Sequence, residues 1–239
     1  NVSANISLRG SAAEAAGGLG QQADGATALT QDLVQQDLSD IDGWVDQVVT
    51  YVESEAMGLS IRSEESDELV PLVGVRGRVG YDDHWTDVVS VVSGRLPNET
   101  PEGDVDMEIV IGLPVANELN LSDGMVVVFD QGMNNQGQTG GGHPTSRPIT
   151  AAIVGVVAPL DEESPYWMDP SPLRLIDKAS GAGLWDYEFA ALTTREAAFR
   201  AGSEFLPDTP TRIGWRVLFA HENLPFARVD QAREALRTF

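Results

Sequence analysis

Three β-rich runs in the middle of the chain constrain the fold more than anything else in it. Glu108 to Ile111 (EIVI), Met125 to Phe129 (MVVVF) and Pro148 to Val157 (PITAAIVGVV) are short and rich in β-branched residues. Runs of this length and composition are read as strands. A short helix, Pro114 to Leu119, separates the first from the second. A Gly/Gln/Asn loop, Asp130 to Arg147 (DQGMNNQGQTGGGHPTSR), separates the second from the third. Its glycines and amides favour a mobile connection between paired strands. Ahead of the runs, an extended segment from Asp83 enters a Gly94-Arg95-Leu96-Pro97 turn.

Both flanks mix strands with helices. Val2, Ala4, Ile6 and Leu8 alternate with polar residues, as do Ile213, Trp215, Val217 and Phe219. This period of two predicts half-buried strands. Val45 to Met57 reads as one extended stretch. Ser63 to Glu68 reads as a charged hairpin tip, and Val70 to Val79 as the returning strand. Tyr187 to Leu192 is a further strand. Helices are predicted at about Thr27 to Leu38, from a Thr193 cap with Glu196 three residues on to about Phe205, and at Pro225 to Thr238. The fold class is α+β. The two ends (1–92 with 184–239) are expected to form an α/β subdomain, with the strands Val2–Leu8 and Ile213–Phe219 in one sheet. A β-rich subdomain at 93–183 is expected as an insertion.

The charge excludes several partners. With 15 basic and 37 acidic residues the net charge is −22, which repels phosphates and anionic headgroups, so no nucleic-acid partner is expected. The absence of cysteine excludes disulfides, thiol catalysis and Cys-based zinc sites. No apolar run approaches the roughly 20 residues that span a bilayer. Asn1 opens directly in an alternating strand, so the chain is expected to be a piece of a longer protein or a processed product.

Catalytic patterns are not found. There is no G-x-S-x-G elbow, and Gly140-Gly141-Gly142 runs into His143-Pro144 rather than a phosphate-binding Lys-Ser/Thr. His84, His143 and His221 are scattered, without metal-ligand spacing. The acidic pairs Glu64-Glu65 and Asp161-Glu162-Glu163 lie in polar turns where charge stays hydrated, and Asp104-Val105-Asp106 lacks the ligand spacing of a calcium loop. No catalytic residue, cofactor site or metal site is therefore assigned. Tyr166, Trp167 and Met168, after Pro165, form the one concentrated aromatic group in a loop. Exposed, they would be a partner contact. Packed inward, they would close the core of the β-rich region.

The order of these motifs, GRLP, then VIG, then IVGVVAP, then PYW, resembles the extracytoplasmic (periplasmic core) domain of MacB/FtsX-like ABC transporter permeases. The later EFAALTTREAAF and TRIGWRVLFAHENLPFARVDQAREALRTF are similar to the returning half of that domain. The resemblance implies a Porter-like α/β subdomain built by the ends and an inserted, β-rich Sabre-like subdomain. It implies a place outside the membrane between membrane helices, a cytoplasmic ABC ATPase as partner, a second permease copy, and an extracytoplasmic substrate or protein. Movement driven by ATP would be passed on for export, extraction or signalling, without catalysis in the domain itself. The rival reading is a stand-alone secreted carbohydrate- or peptide-binding module with an aromatic cleft at Trp167, Trp185 or Trp215. A third is a hydrolase with an unfamiliar carboxylate pair.

Overall fold

The computed structural model describes residues 3–11, 45–63, 67–131, 147–167, 173, 176–177, 187–201 and 210–219. The strands are β1 (Ser3–Ser11), β2 (Val45–Glu53), β3 (Met57–Arg62), β4 (Leu69–Asp82), β5 (Val89–Gly94), β6 (Met107–Gly112), β7 (Val126–Asp130), β8 (Ile149–Pro159), β9 (Ile176–Asp177), β10 (Tyr187–Leu192) and β11 (Pro210–Phe219). Two short helices, α1 (Leu113–Leu119) and α2 (Arg195–Arg200), follow β6 and β10. The described part is thus mostly strand. The predicted helices at 27–38 and 225–238 lie outside the described residues, as does most of the 130–147 loop.

All the strands belong to one 11-stranded sheet. Part of it closes on itself. Going round, β4 pairs β3, β3 pairs β7, β7 pairs β8, β8 pairs β6, β6 pairs β10, and β10 returns to β4. Closure removes sheet edges that would otherwise stay unpaired. The pairings β6–β8 and β4–β10 are parallel and the rest are antiparallel. Three staves of this barrel (β6, β7, β8) come from the expected insertion and three (β3, β4, β10) from the flanks, so hydrogen bonding runs across positions 93 and 183.

The alternation along each stave fills the interior. Met57 and Leu59, Val75 and Val79, Met107, Ile109 and Ile111, Val127 and Phe129, Ile149, Ala151 and Ile153, and Phe189 and Ala191 form one apolar cluster. Val115 and Ala116 of α1 join it, as do Ala197 of α2 and the following Ala201. Because β6 and β10 run antiparallel, the helices that follow them cap opposite ends of the barrel. Gly77 sits where two phenyl rings meet. A Cβ there would stand 2.5 Å from the Phe129 ring and 3.3 Å from that of Phe189.

The rest of the sheet forms a wing. β1 pairs β11 over its whole length, with Ile6 opposite Trp215, and β11 pairs β2. The strands near the two ends therefore share one sheet, as their alternation predicts. β2 then joins the last residues of β4, Gly80 to Asp82. The predicted single stretch Val45 to Met57 is in fact two strands. Between them the Ser54 hydroxyl accepts the Val79 amide at 2.9 Å, and the Ser54 amide donates to the Val79 carbonyl at 2.9 Å. Ser54 thus replaces ladder bonds at the point where the chain leaves the wing and enters the barrel.

The cap of α2 also differs from expectation. Thr194 is the N-cap, and its hydroxyl accepts from the Ala197 amide at 3.3 Å. Thr193 is buried, and its hydroxyl donates to the Glu108 carbonyl at 2.6 Å. The β6–β10 contact is a single residue pair, Leu192 with Val110. Thr193 is consumed in sealing that joint, which leaves the cap to its neighbour.

Gly77→Ala should lower stability by about 1–3 kcal/mol through overpacking. Urea unfolding measures this, and Phe129→Leu in the same chain should recover part of it. A neutral Gly77→Ala would mean that the barrel interior has room to spare.

Candidate functional site

The outer face of the barrel, where the wing folds against it, carries a second apolar cluster. Val49, Leu192, Val110, Val157, Leu173, Leu218, Trp85 and Val89 gather there around Tyr166 and Trp167. The Pro165–Trp167 turn is a single 3-10 turn. Tyr166 and Trp167 are only 2 % and 7 % exposed, with their rings edge to face at 4.8 Å. The Tyr166 hydroxyl donates to the Asp83 carbonyl at 2.7 Å. The pair fills the space between wing and barrel rather than presenting rings to solvent. Met168 lies outside the described residues.

Charge is buried along the same seam. Arg216 of β11 donates to the Tyr166 carbonyl at 2.9 Å and stands 3.7 Å from the Asp82 carboxylate of β4. Its guanidinium also lies over the rings of Tyr51 and Tyr166, at 5.8 and 6.0 Å from their centroids, where ring quadrupoles favour a cation. One side chain therefore ties together β11, β4, β2 and the aromatic turn. Desolvation pushes the Asp82 carboxyl up to about 6 against the pull of Arg216, and Glu53 and Asp83 add to the rise. Nearby, Arg78 of β4 bridges Glu188 of β10 at 2.7 Å and Glu53 of β2 at 3.1 Å, while Arg212 of β11 lies 3.8 Å from Glu53. These pairs link the wing to the barrel as ions whose partners come from different strands.

A second buried carboxylate holds the Gly94-Arg95-Leu96-Pro97 turn. Glu108, on the outer side of β6, has no solvent-exposed side-chain surface. It takes two bonds from Arg95, at 2.6 and 2.8 Å, and backbone bonds from Asn98 at 2.8 Å and Glu102 at 3.0 Å. The bonds from Arg95 hold its carboxyl down at about 2, despite burial. The glycine opposite this turn is forced. A Cβ on Gly155 would run into the Arg95 carbonyl.

Among the described residues no group of three or more His, Asp or Glu side chains could hold a metal ion. His84 is exposed and faces Asp87 at 3.6 Å; His143 and His221 lie outside the described residues. Asp161, Glu162 and Glu163 are exposed. Asp106 is engaged with the Thr150 amide at 2.8 Å and Arg147 at 3.0 Å. No motif marks Asp82, Glu53, Glu188 or Arg216. Their partners lie on other strands, so no local spacing joins them.

No protein-family model matches the chain. No curated protein matches it either. Among solved structures it is similar to the periplasmic region of MacB from Actinobacillus actinomycetemcomitans, at 13 % identity and a TM-score of 0.36, over 84 % of this chain and 72 % of that one. It is also similar to a domain assigned to a permease protein from Porphyromonas gingivalis, at 12 % identity and a TM-score of 0.33, over 83 % of this chain and 67 % of that one. Both overlays are loose, and a family follows from neither.

Two carboxylates should titrate in opposite senses. The folded value of Asp82, about 6, exceeds its ordinary 3.8, so the ionised group disfavours the fold. Wild-type stability relative to Asp82→Asn should therefore rise as pH falls through about 6, by about 3 kcal/mol in all, most of it between about 6 and 4, and level off below the ordinary value of 3.8. Denaturant unfolding across that range measures the difference, and a flat difference would contradict a buried, ionisable Asp82. Glu108 lies below its ordinary 4.5, so it stabilises above that value and its contribution disappears as pH falls through about 2. Glu108→Gln should cost about 3 kcal/mol at neutral pH, since it leaves four donor groups with a weaker acceptor. Near pH 2 the variant and the wild type should converge.

Proposed function

We propose that the chain is a non-catalytic, extracytoplasmic part of an ABC transporter permease of the MacB/FtsX-like kind. One observation carries this reading: the motifs that resemble the family are the residues that join the parts of this fold. Arg95 of GRLP is clamped by Glu108. IVGVVAP is the second half of β8, which pairs β5 on one side and β6 on the other. Tyr166 of PYW lies under Arg216 of the GWRV strand. Such residues preserve a way of coupling two bodies, whatever the cargo.

In this reading the wing, to which strands near both ends of the chain contribute, receives movement from membrane helices outside the chain. The ion pairs and the aromatic turn pass that movement to the barrel. A cytoplasmic ABC ATPase drives it, a second permease copy completes the assembly, and the substrate or protein partner lies outside the membrane. No described helix is long and apolar enough to cross a membrane; in this reading the crossing segments lie outside the described residues. The rival, a secreted module with an open aromatic cleft at Trp167, Trp185 or Trp215, finds no support at Trp167, which is buried; Trp185 lies outside the described residues.

The absence of cysteine makes a direct test possible. In intact cells making the complete protein, a Thr100→Cys variant, at an exposed position, should react with a membrane-impermeant maleimide without lysis. The complete sequence should carry apolar segments of about 20 residues on both sides of this region. Labelling only after lysis, or a signal peptide with no membrane segment, would overturn the proposal.

A further inference from the structure

Among the described residues, the large apolar side chains that remain exposed fall into two groups, each at a sheet edge. Leu69, Val70 and Val73 lie on the first arm of β4. That arm carries Pro71 within the strand and begins beside the Arg62–Asp67 ion pair. Proline and charge are the usual guards of an edge strand. The second group, Val91, Val92 and Leu160, is 43 %, 50 % and 64 % exposed and lies on or beside β5. Among the described residues β5 pairs only with β8, so its outer edge is open. Val88 to Gly94 reads VVSVVSG, without a charge or a proline. Its one irregularity is the bulge at Val92, which leaves the backbone from Val89 to Val91 in regular register.

Carboxylates stand at both ends of this open edge. At the Val89 end are the exposed Asp87, Asp161, Glu162 and Glu163; the Leu160 amide donates to the Val88 carbonyl at 2.9 Å, which fixes the acidic turn there. At the Gly94 end the exposed Asp123 accepts from the Ser93 hydroxyl at 2.7 Å. Arg95, next in the chain after Gly94, is occupied by Glu108 and Glu102. An apolar, unpaired edge with acid at both ends selects its partner by charge. A second copy of this chain, at −22, would bring the same carboxylates against them.

We propose that the outer edge of β5 is a strand-addition site for an extended segment of another protein, apolar and β-branched in its centre and basic at both ends. Backbone bonds to Val89, Val91 and Ser93 would supply affinity, and the flanking Lys or Arg would set register against Asp161–Glu163 and Asp123. This stands apart from the permease reading, since it needs only the edge and its charges.

The probe is a synthetic peptide with lysines at both ends of an alternating valine–threonine core, added to the 239-residue chain. At ~1 mM peptide, within reach of weak association, amide exchange at Val89 to Ser93 should slow about tenfold, and the effect should weaken with added salt. A peptide with proline in its core should give no protection, nor should one with glutamate in place of lysine. Val91→Lys, a surface change on a folded chain, should abolish protection while leaving the unfolding midpoint near wild type. Asp123→Asn with Asp161→Asn should weaken binding without altering the fold. No slowing at ~1 mM, or equal slowing by the proline or glutamate peptide, would overturn the proposal. So would concentration-dependent self-association lost in Val91→Lys, because the occupant would then be a second copy.

Discussion

Everything in this fold depends on β4 having more neighbours than a strand ordinarily has. A strand has two edges, yet β4 is bonded to β3, to β10 and to β2. It manages this through its length, Leu69 to Asp82, by giving different residues to different partners. Leu69 to Gly77 meet β3, Val75 to Gly80 meet β10, and Gly80 to Asp82 meet β2. The barrel closes because the middle of β4 is bonded on both sides. The wing exists because the end of β4 outruns the barrel. The outward residues of that stretch, Arg78 and Asp82, must then bury charge between two layers. Burying an unpaired ion is prohibitive, and so Glu53, Glu188 and Arg216 sit where they do.

Much of this was legible in the residues. Period-two alternation placed β1 and β11, since a strand with one buried face writes that face into the sequence, and continuous β-branched runs placed β6, β7 and β8. The short helix after β6 was legible through Pro114 and the break at Asn120, which adopts a left-handed conformation with φ of 52°. Closure was not legible. Whether β6 pairs β8 or β10 depends on which edges meet in space, and alternation is silent on that. The break at Ser54 was hidden because a serine inside a β-branched run looks like an outward-facing residue, whereas here its hydroxyl replaces a backbone bond. Thr193 was misread for a related reason: two threonines in succession offer the same capping chemistry, and only the neighbouring strand decides which is free to use it.

The candidate site was harder still. Tyr166 and Trp167 drew notice as an aromatic pair, and both readings of such a pair, contact or plug, are written identically in sequence. What separates them is the wall they face, made of Val110, Val157 and Leu192 from three different strands. Asp82 and Arg216 are more than a hundred positions apart, so no local pattern joins them. Glu108 is different. A glutamate ahead of Ile109, Val110 and Ile111 is conspicuous in retrospect, because a strand that buries both faces rarely carries a charge without a fixed partner.

Two pairings between distant parts of the chain have a consequence for how it comes to be folded. β10 lies against β4 although their bonded residues, such as Arg78 and Glu188, are 110 positions apart. β11 closes the wing on β1, with Leu218 opposite Ser3. A chain that emerges in order through a narrow channel therefore cannot complete either layer early. Until Tyr187 to Leu192 arrive, the interior faces of β3, β4, β6, β7 and β8 form an open trough lined with Met, Ile and Phe. Long-range pairings of this kind are slow to form, and the trough is the surface on which such a chain is most exposed to aggregation. The wing waits longer still, so the junction between barrel and wing is the last part of the described molecule to take shape.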